Sequence, residues 1–239
     1  MSQSLIENKV AVPKEFNKIA RRYDMATGLS QGYQSDLNRS ATYLQLKGNE
    51  TVLDLCCGTG KSTAAVLPYI TTGKVIGVDN SEEMLQVAGE KFANEIKAGK
   101  LQLQLQDAMN LTFEPGSFDA IFMAYGLRNM PDYDKSLAQL LPLLKPNGKL
   151  VIHDYSLSDT WYSAAYWWIL GYVFIVPISF LTTGETNIFS YLIKSVLNFL
   201  GPKELEAKMK ATGFTTVSSH AQPTWRAPIL RTFVGSRVN

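Results

Sequence analysis

Apolar positions change their spacing several times along the chain. Over residues 13–25, Phe16, Ile19, Ala20 and Tyr23 fall three or four apart, which predicts an amphipathic helix with Pro13 in its first turn. A second helix is predicted over residues 35–46. The spacing then shortens: residues 51–55, 74–78, 101–105, 118–124 and 149–155 are short β-rich runs separated by helical or turn-like stretches. Ser81 stands where it caps a helix with Glu82 and Glu83 in the first turn and Met84, Leu85, Ala88 and Phe92 on the buried side. A last helix over residues 203–211 is stopped by Gly213 and followed by strands at 214–218 and 229–234. Strands that alternate with helices predict an α/β fold, a mostly parallel sheet with helices on both faces. No repeat, low-complexity tract or Pro/Gly-rich linker divides the 239 residues. One domain is therefore expected over 1–239, with N-terminal helices at 13–47, a ligand-binding core at 50–156, an apolar segment at 157–200 and a final helix and strands at 201–239.

Composition narrows the partners. Hydrophobic residues make up 46% of the chain, enough for a large core, and 23 basic against 21 acidic residues leave a net charge of +2. Nucleic-acid binders usually carry a strongly basic face, so none is expected as a partner. Cys56 and Cys57 are adjacent, a spacing unsuited to an ordinary disulfide and matching no zinc pattern, so no metal is expected. Residues 1–12 include Glu7 and Lys9 and have no continuous apolar run, so they do not resemble a secretory signal. A reducing, cytoplasmic location is the expectation.

Candidate chemistry begins at Asp54-Leu-Cys-Cys-Gly58-Thr59-Gly60, where a predicted strand gives way to a helix. Open α/β sheets bind ligands in the crevice beyond such strand ends. The loop lacks the Gly-Lys-Ser/Thr ending of a P-loop and the six-residue GxGxxG of dinucleotide binders, so it is not a phosphate cradle. Asp79 closes the second strand, a position from which a carboxylate accepts hydrogen bonds from the two hydroxyls of a ribose.

With Asp107-Ala108, Phe118-Asp119 and Leu144-Lys-Pro-Asn-Gly148, these segments fall in the order and spacing of class I S-adenosylmethionine-dependent methyltransferases, which the chain resembles. Phe16 with Tyr23-Asp24, the run Gly126-Leu-Arg128-Asn129, Tyr191-Leu-Ile and the closing Ala-Thr-Gly213-Phe are similar to the ubiquinone/menaquinone biosynthesis C-methyltransferases. The resemblance implies a Rossmann-like seven-stranded sheet whose last strand is antiparallel, with S-adenosylmethionine as cofactor. It implies that Asp54, Gly58, Thr59 and Gly60 serve the methionine end, Asp79 and Asn80 the ribose, and Asp107 and Ala108 the adenine edge. Ala124 would sit beside the sulfonium, and Tyr23 would close over the cofactor. The chain departs from the family at Lys61, where an acidic residue is usual, at Ala26 to Ser35, and at His153-Asp154, where an apolar residue and Glu are usual.

The resemblance implies methyl transfer to a lipophilic acceptor, with C-methylation of a quinol-like or prenylated aromatic ring as the expectation and O- or N-methylation of a natural product or phospholipid headgroup as the alternative. Methylation of an electron-rich ring needs positioning, desolvation and a cation near the ring oxygen. Arg128, with Asn129 beside it, is the candidate for that cation; loop anchoring through a carboxylate is its alternative. His153 is a candidate base because an unperturbed imidazole titrates near pH 6.5, with burial in the strand as its alternative. Cys56 and Cys57 are read as small residues of the loop; their place at a helix entrance, a setting that depresses a thiol pKa, is the alternative.

Residues 160–184 carry no charge, and Trp161, Tyr162, Tyr166, Trp167, Trp168, Tyr172, Phe174 and Phe180 crowd them. A single bilayer crossing would separate strands of one sheet, and Gly171 and Pro177 interrupt a uniform helix. The segment is expected to be an apolar helical lid over a lipophilic small-molecule substrate, touching the membrane surface transiently; a homodimer interface or a second layer of core is the alternative. Ile188, Tyr191, Leu192, Ser195, Val196 and Phe199 continue it as an amphipathic helix.

Overall fold

The computed structural model describes residues 32–177, 180 and 187–238. The helix expected over 13–25, and Tyr23 with it, lies outside the described residues. The elements in chain order are α1 (Tyr33–Ala41), β1 (Thr51–Leu55), α2 (Lys61–Val66), β2 (Lys74–Asp79), α3 (Glu82–Lys91), α4 (Ala93–Lys97), β3 (Leu101–Leu105), β4 (Phe118–Ala124), α5 (Tyr133–Leu143), β5 (Leu144–Tyr155), α6 (Ser163–Ile169), α7 (Asn187–Leu197), α8 (Pro202–Thr212), β6 (Thr215–Ala221) and β7 (Leu230–Ser236). The strands form one seven-stranded sheet in the order β3-β2-β1-β4-β5-β7-β6. β7 runs antiparallel between β5 and β6, and β1 to β5 pair in parallel.

Alternation along the strands sorts the core into two layers. Leu53, Leu55, Ile76, Ile121, Met123 and Ile152 face α5 and α8 through Leu137, Leu140, Leu205 and Met209. Val52, Val75, Phe122 and Val151 face α1 and α2 through Leu37, Ala65 and Val66. Beyond β1 the sheet grows outward in one direction through β2 and in the other through β4. Their carboxyl ends therefore part around a crevice at the switch point. At the other end, Asp119 Oδ2 accepts the Thr51 N–H at 2.8 Å and the Lys145 ammonium at 2.8 Å, joining β1, β4 and β5. This anchorage helps explain why β5 starts at Leu144, five residues before the run read from the sequence. The Pro146-Asn147-Gly148 turn lies within the strand, with Asn147 at φ 61° and a register shift between Phe118 and Ala120.

The capped helix forms as expected, with the Ser81 hydroxyl accepting the Met84 N–H at 3.1 Å. The apolar segment is less uniform. After α6 the coil widens to π turns over Leu170–Ile175. A Cβ on Gly171 would lie 2.6 Å from Ile193, so the bare backbone is what lets α7 approach. Trp167 is not an exposed aromatic: it is fully buried, its Nε1 donates to the Ile193 carbonyl at 3.2 Å, and its ring lies 4.9 Å from that of Tyr155. Trp161 and Trp168 face outward at 92% and 53% exposure. Among the described residues no helix is long and apolar enough to cross a membrane. Trp167→Ala is expected to cost about 3–5 kcal/mol of stability and Trp168→Ser at most about 0.5 kcal/mol, measured by urea unfolding.

Candidate active site

A cavity of about 550 Å³ opens at the carboxyl ends of β1, β2 and β4, a volume ordinary for small-molecule sites. Its floor is the glycine loop. The Cys57 N–H donates to the Val78 carbonyl at 3.0 Å and the Gly60 N–H to the Cys57 carbonyl at 2.9 Å, a tight turn that takes Cys56, Gly58 and Gly60 to positive φ. At Gly60 a Cβ would strike the Phe92 ring at 2.4 Å, whereas at Gly58 nothing lies within 4 Å of the Cβ position. The first glycine fits the loop to α3, and the second leaves backbone bare toward the cavity.

Asp79 governs this loop from the end of β2. Its Oδ2 accepts the Gly58 N–H at 2.9 Å and its Oδ1 the Ser81 N–H at 3.0 Å. Burial pushes its carboxyl above the usual range, and the backbone N–H groups pull it back. Each oxygen keeps a lone pair, so two vicinal hydroxyls fit beside it. Asp107 turns the next wall: its Oδ1 accepts the Met109 N–H at 2.9 Å and its Oδ2 the Asn110 amide at 2.7 Å.

Behind the loop, Asp54 is fully buried, and its Oδ2 accepts the Ser62 and Thr63 hydroxyls at 2.9 and 2.6 Å. Its Oδ1 has no hydrogen-bond partner among the described residues. Burial pushes the carboxyl up to about 7 against the pull of the two hydroxyls. Open backbone at Gly58 and an acid placed for a diol suit a nucleoside carrying an amino-acid end.

The far wall is built by the turn after β4. Arg128 is buried, its Nη1 2.7 Å from Asp154 Oδ1 and 2.9 Å from the Tyr125 carbonyl, and its backbone N–H donates to Asp154 Oδ2 at 3.2 Å. Burial drives the Asp154 carboxyl up, and the guanidinium opposes it. Arg128 thus both lines the cavity and anchors its loop through a carboxylate. Asn129 donates to the Tyr125 carbonyl at 3.2 Å and accepts from the Tyr191 hydroxyl of α7 at 3.1 Å, which ties the apolar segment to the wall.

The cavity brings together Gly58, Thr59, Asp79, Asn80, Asp107, Ala108, Ala124, Arg128 and Asn129 among the expected residues. Asp54 and Gly60 lie beneath the loop and off the lining, and Tyr23 lies outside the described residues. His153 is fully buried behind the wall and both ring nitrogens meet protein groups; burial pushes its pKa down to about 3. Burial and neighbouring carboxylates push the Cys56 and Cys57 thiols up, which suits small loop residues and not the alternative of a depressed thiol. The sequence reading missed Tyr33, Met84 and Tyr125 in the lining. For Tyr125 a signal existed, its place immediately after a strand that points into the crevice.

This sheet, loop and acid define a Rossmann-like class I methyltransferase fold. A methyltransferase of Aquifex aeolicus, titled as SAM-dependent, superposes with a TM-score of 0.59 at 19% identity, covering 88% of this chain and 96% of that one. A chain of the complex between the Haloferax volcanii Trm112 methyltransferase activator and a putative methyltransferase gives 0.67 at 15% identity, covering 94% and 98%. The demethylmenaquinone methyltransferases of Oceanobacillus iheyensis and Staphylococcus aureus (strain JH9) are 33% and 34% identical, over 84% and 88% of this chain and 86% and 87% of their own lengths. The ubiE/COQ5 methyltransferase family matches residues 3–225, and the chain belongs to it. It is an S-adenosylmethionine-dependent methyltransferase.

A carboxyl held at about 7 in the folded chain and near 3.8 in the unfolded one adds stability that is full below the unfolded value and is lost as pH rises to about 7. Asp54→Asn is expected to flatten this dependence, removing roughly 2–4 kcal/mol of the stability difference between acid and neutral pH in urea titrations.

Proposed function

We propose that this chain transfers a methyl group to a ring carbon of a lipophilic quinol-type aromatic, the acceptor class suggested by relatives named demethylmenaquinone methyltransferases. The observation that carries the reading is the far wall: a buried guanidinium with an amide beside it, framed by the rings of Tyr33 and Tyr125. A ring carbon becomes nucleophilic as the neighbouring hydroxyl gives up its proton, and a fixed cation favours the phenolate. Arg128 supplies that charge, its direction set by Asp154 and the Tyr125 carbonyl, and Asn129 orients the same oxygen. Burial pushes Tyr191 up to about 12, so it remains a donor to Asn129 and keeps α7 over the site. Bound S-adenosylmethionine supplies an electrophilic methyl on a sulfonium. Asp79 and Asn80 are assigned to its ribose, Asp107 and Ala108 to its adenine, Gly58 and Thr59 to its methionine end, and Ala124 to the neighbourhood of the methyl; Asp54, buried beneath the loop, braces it through Ser62 and Thr63. Gly60 shapes the turn that presents them.

We also assign the enzyme to the cytoplasmic membrane surface, where a water-insoluble acceptor resides. Trp161, Trp168, Ile169, Val173, Phe174 and Phe180 are all more than half exposed on the apolar segment, a display suited to the headgroup region.

Incubation with labelled S-adenosylmethionine and a reduced, ring-demethylated menaquinone is expected to yield a product methylated at ring carbon, identified by mass and NMR. Methyl on oxygen, or labelling of an ethanolamine headgroup instead, would overturn the acceptor assignment. Arg128→Ala should lower kcat by about a hundredfold or more while cofactor affinity stays within about twofold. It also leaves Asp154 buried without its cation, so about 3–5 kcal/mol of stability should go with it.

For the surface, the protein is expected to sediment with neutral vesicles about as well as with anionic ones, because the segment carries no charge. The double variant Trp161→Ser, Trp168→Ser should stay in the supernatant with cofactor affinity intact. No binding to any vesicle, together with a changed oligomeric mass in the double variant, would make this face a subunit interface.

A further inference from the structure

The structure surrounds the fully buried His153 with uncharged polar groups. Its Nδ1 lies 2.8 Å from Ser40 Oγ and 3.3 Å from Thr232 Oγ1, and its Nε2 lies 3.0 Å from the Tyr125 hydroxyl. Ser40 gives its proton to the Asp36 carbonyl at 2.9 Å, and Thr232 lies 2.7 Å from Ser40, whose oxygen is then its acceptor. Gln222 adds its amide to both oxygens, at 3.1 and 2.9 Å. The Ser40 oxygen has only two lone pairs for these neighbours, so Ser40 and Thr232 hold Nδ1 between them whichever ring nitrogen carries the hydrogen. Nε2 and the Tyr125 hydroxyl share one hydrogen bond, in which the ring's tautomer sets the donor.

Tyr125 needs such a hold. Its φ of 55° is left-handed, a conformation that bulky residues avoid. Its backbone N–H donates to the His153 carbonyl at 2.7 Å, and its ring stacks on Tyr33 at 5.0 Å. The turn directs the Tyr125 carbonyl toward both Arg128 Nη1 and Asn129 Nδ2, the two polar groups of the acceptor wall. The backbone of one strained residue therefore orients both of them.

We propose that His153 is a positioning residue, which fixes the Tyr125 hydroxyl and, through the left-handed turn at Tyr125, orients the Arg128 guanidinium and the Asn129 amide toward the acceptor. The inference rests on the acceptor-side reading of Arg128 and Asn129 for its kinetic consequence, but the hold itself is independent of any acceptor. It makes Tyr125 a working part of the site through its backbone carbonyl and its phenol together.

Tyr125→Phe removes only the hydroxyl, and His153→Leu removes its hydrogen-bond partner; Tyr125→Phe keeps the test decisive if the leucine variant fails to fold. In the wild-type protein with S-adenosylmethionine bound, the His153 ring should show a single neutral tautomer by nitrogen NMR. The Arg128 guanidinium signals, assigned with Arg128→Lys, should be sharp in the wild type and broadened alike in both variants. With a reduced demethylmenaquinone, each variant should lose about five- to tenfold in kcat with little change in KM or cofactor affinity, and the double variant should lose no more than one single. His153→Gln, which restores a hydrogen-bond partner, should recover part of the loss.

Unchanged Arg128 signals in Tyr125→Phe would overturn the proposal. So would kinetic losses that multiply in the double variant, or loss of turnover in His153→Leu with Tyr125→Phe normal, the pattern of a proton-transfer base. If the wild type turns over no quinol, the acceptor reading fails, and the guanidinium signals still decide the positioning role.

Discussion

Burying a charge is the costliest requirement in this site, and the turn after β4 is organised around meeting it. Asp154 ends a strand in the middle of the sheet, where water cannot solvate it, so its oxygens must find donors in the protein. They find the Arg128 guanidinium, the Arg128 backbone N–H and the Tyr155 N–H at 2.8 Å. To deliver those donors the chain reverses immediately after Ala124, and the reversal accounts for the left-handed Tyr125 and the short helical turn Leu127–Asn129. The cavity wall follows from that solution. Removing either partner would leave the other buried and unmatched, so the pair specifies the geometry of the turn more than it adds net stability.

Where chemistry is local, the sequence was a sufficient guide. Asp79 and the glycine loop could be read because a strand end, a tight turn and a carboxylate at the next strand end carry meaning within thirty residues. β1 and β4 match their expected bounds, since buried runs of branched and aromatic residues flanked by turns leave little choice. The early start of β5 could not be read: its Pro-Asn-Gly looks like a connection, and only the partner strand and the Asp119 contacts make it part of the sheet. His153 and Tyr125 were opaque for the same reason. Their roles depend on cross-strand register, which places His153 opposite Ala124 and Thr232, and on α1 bringing Ser40 to the ring.

Trp167 and Trp168 show where composition stops informing. Both stand in one uncharged run, and nothing in the run says which face of the helix meets α7. The approach permitted by Gly171 settles it, and adjacent tryptophans end with 0% and 53% exposure. A segment whose inner face is packed and whose outer face stays apolar differs from a buried span. It is a layer with one side attached to the sheet and one side unsatisfied in water.

The cysteines of the loop close the electrostatic picture. A thiolate is a strong nucleophile, and one beside an activated methyl would compete with any intended acceptor. Cys56 lines the cavity, yet burial and the carboxylates of Asp79, Asp54, Asp154 and Asp107 push its pKa up, and the same causes act on Cys57 through Asp54 and Asp79. The helix entrance would pull the other way, but α2 is only six residues long, and burial, with the carboxylates adding to it, outweighs it at Cys56. Burial and negative potential together favour a thiol over a thiolate. The cysteine sulfur on the cavity lining is thereby kept protonated, so a methyl donor bound in the cavity meets no thiolate there.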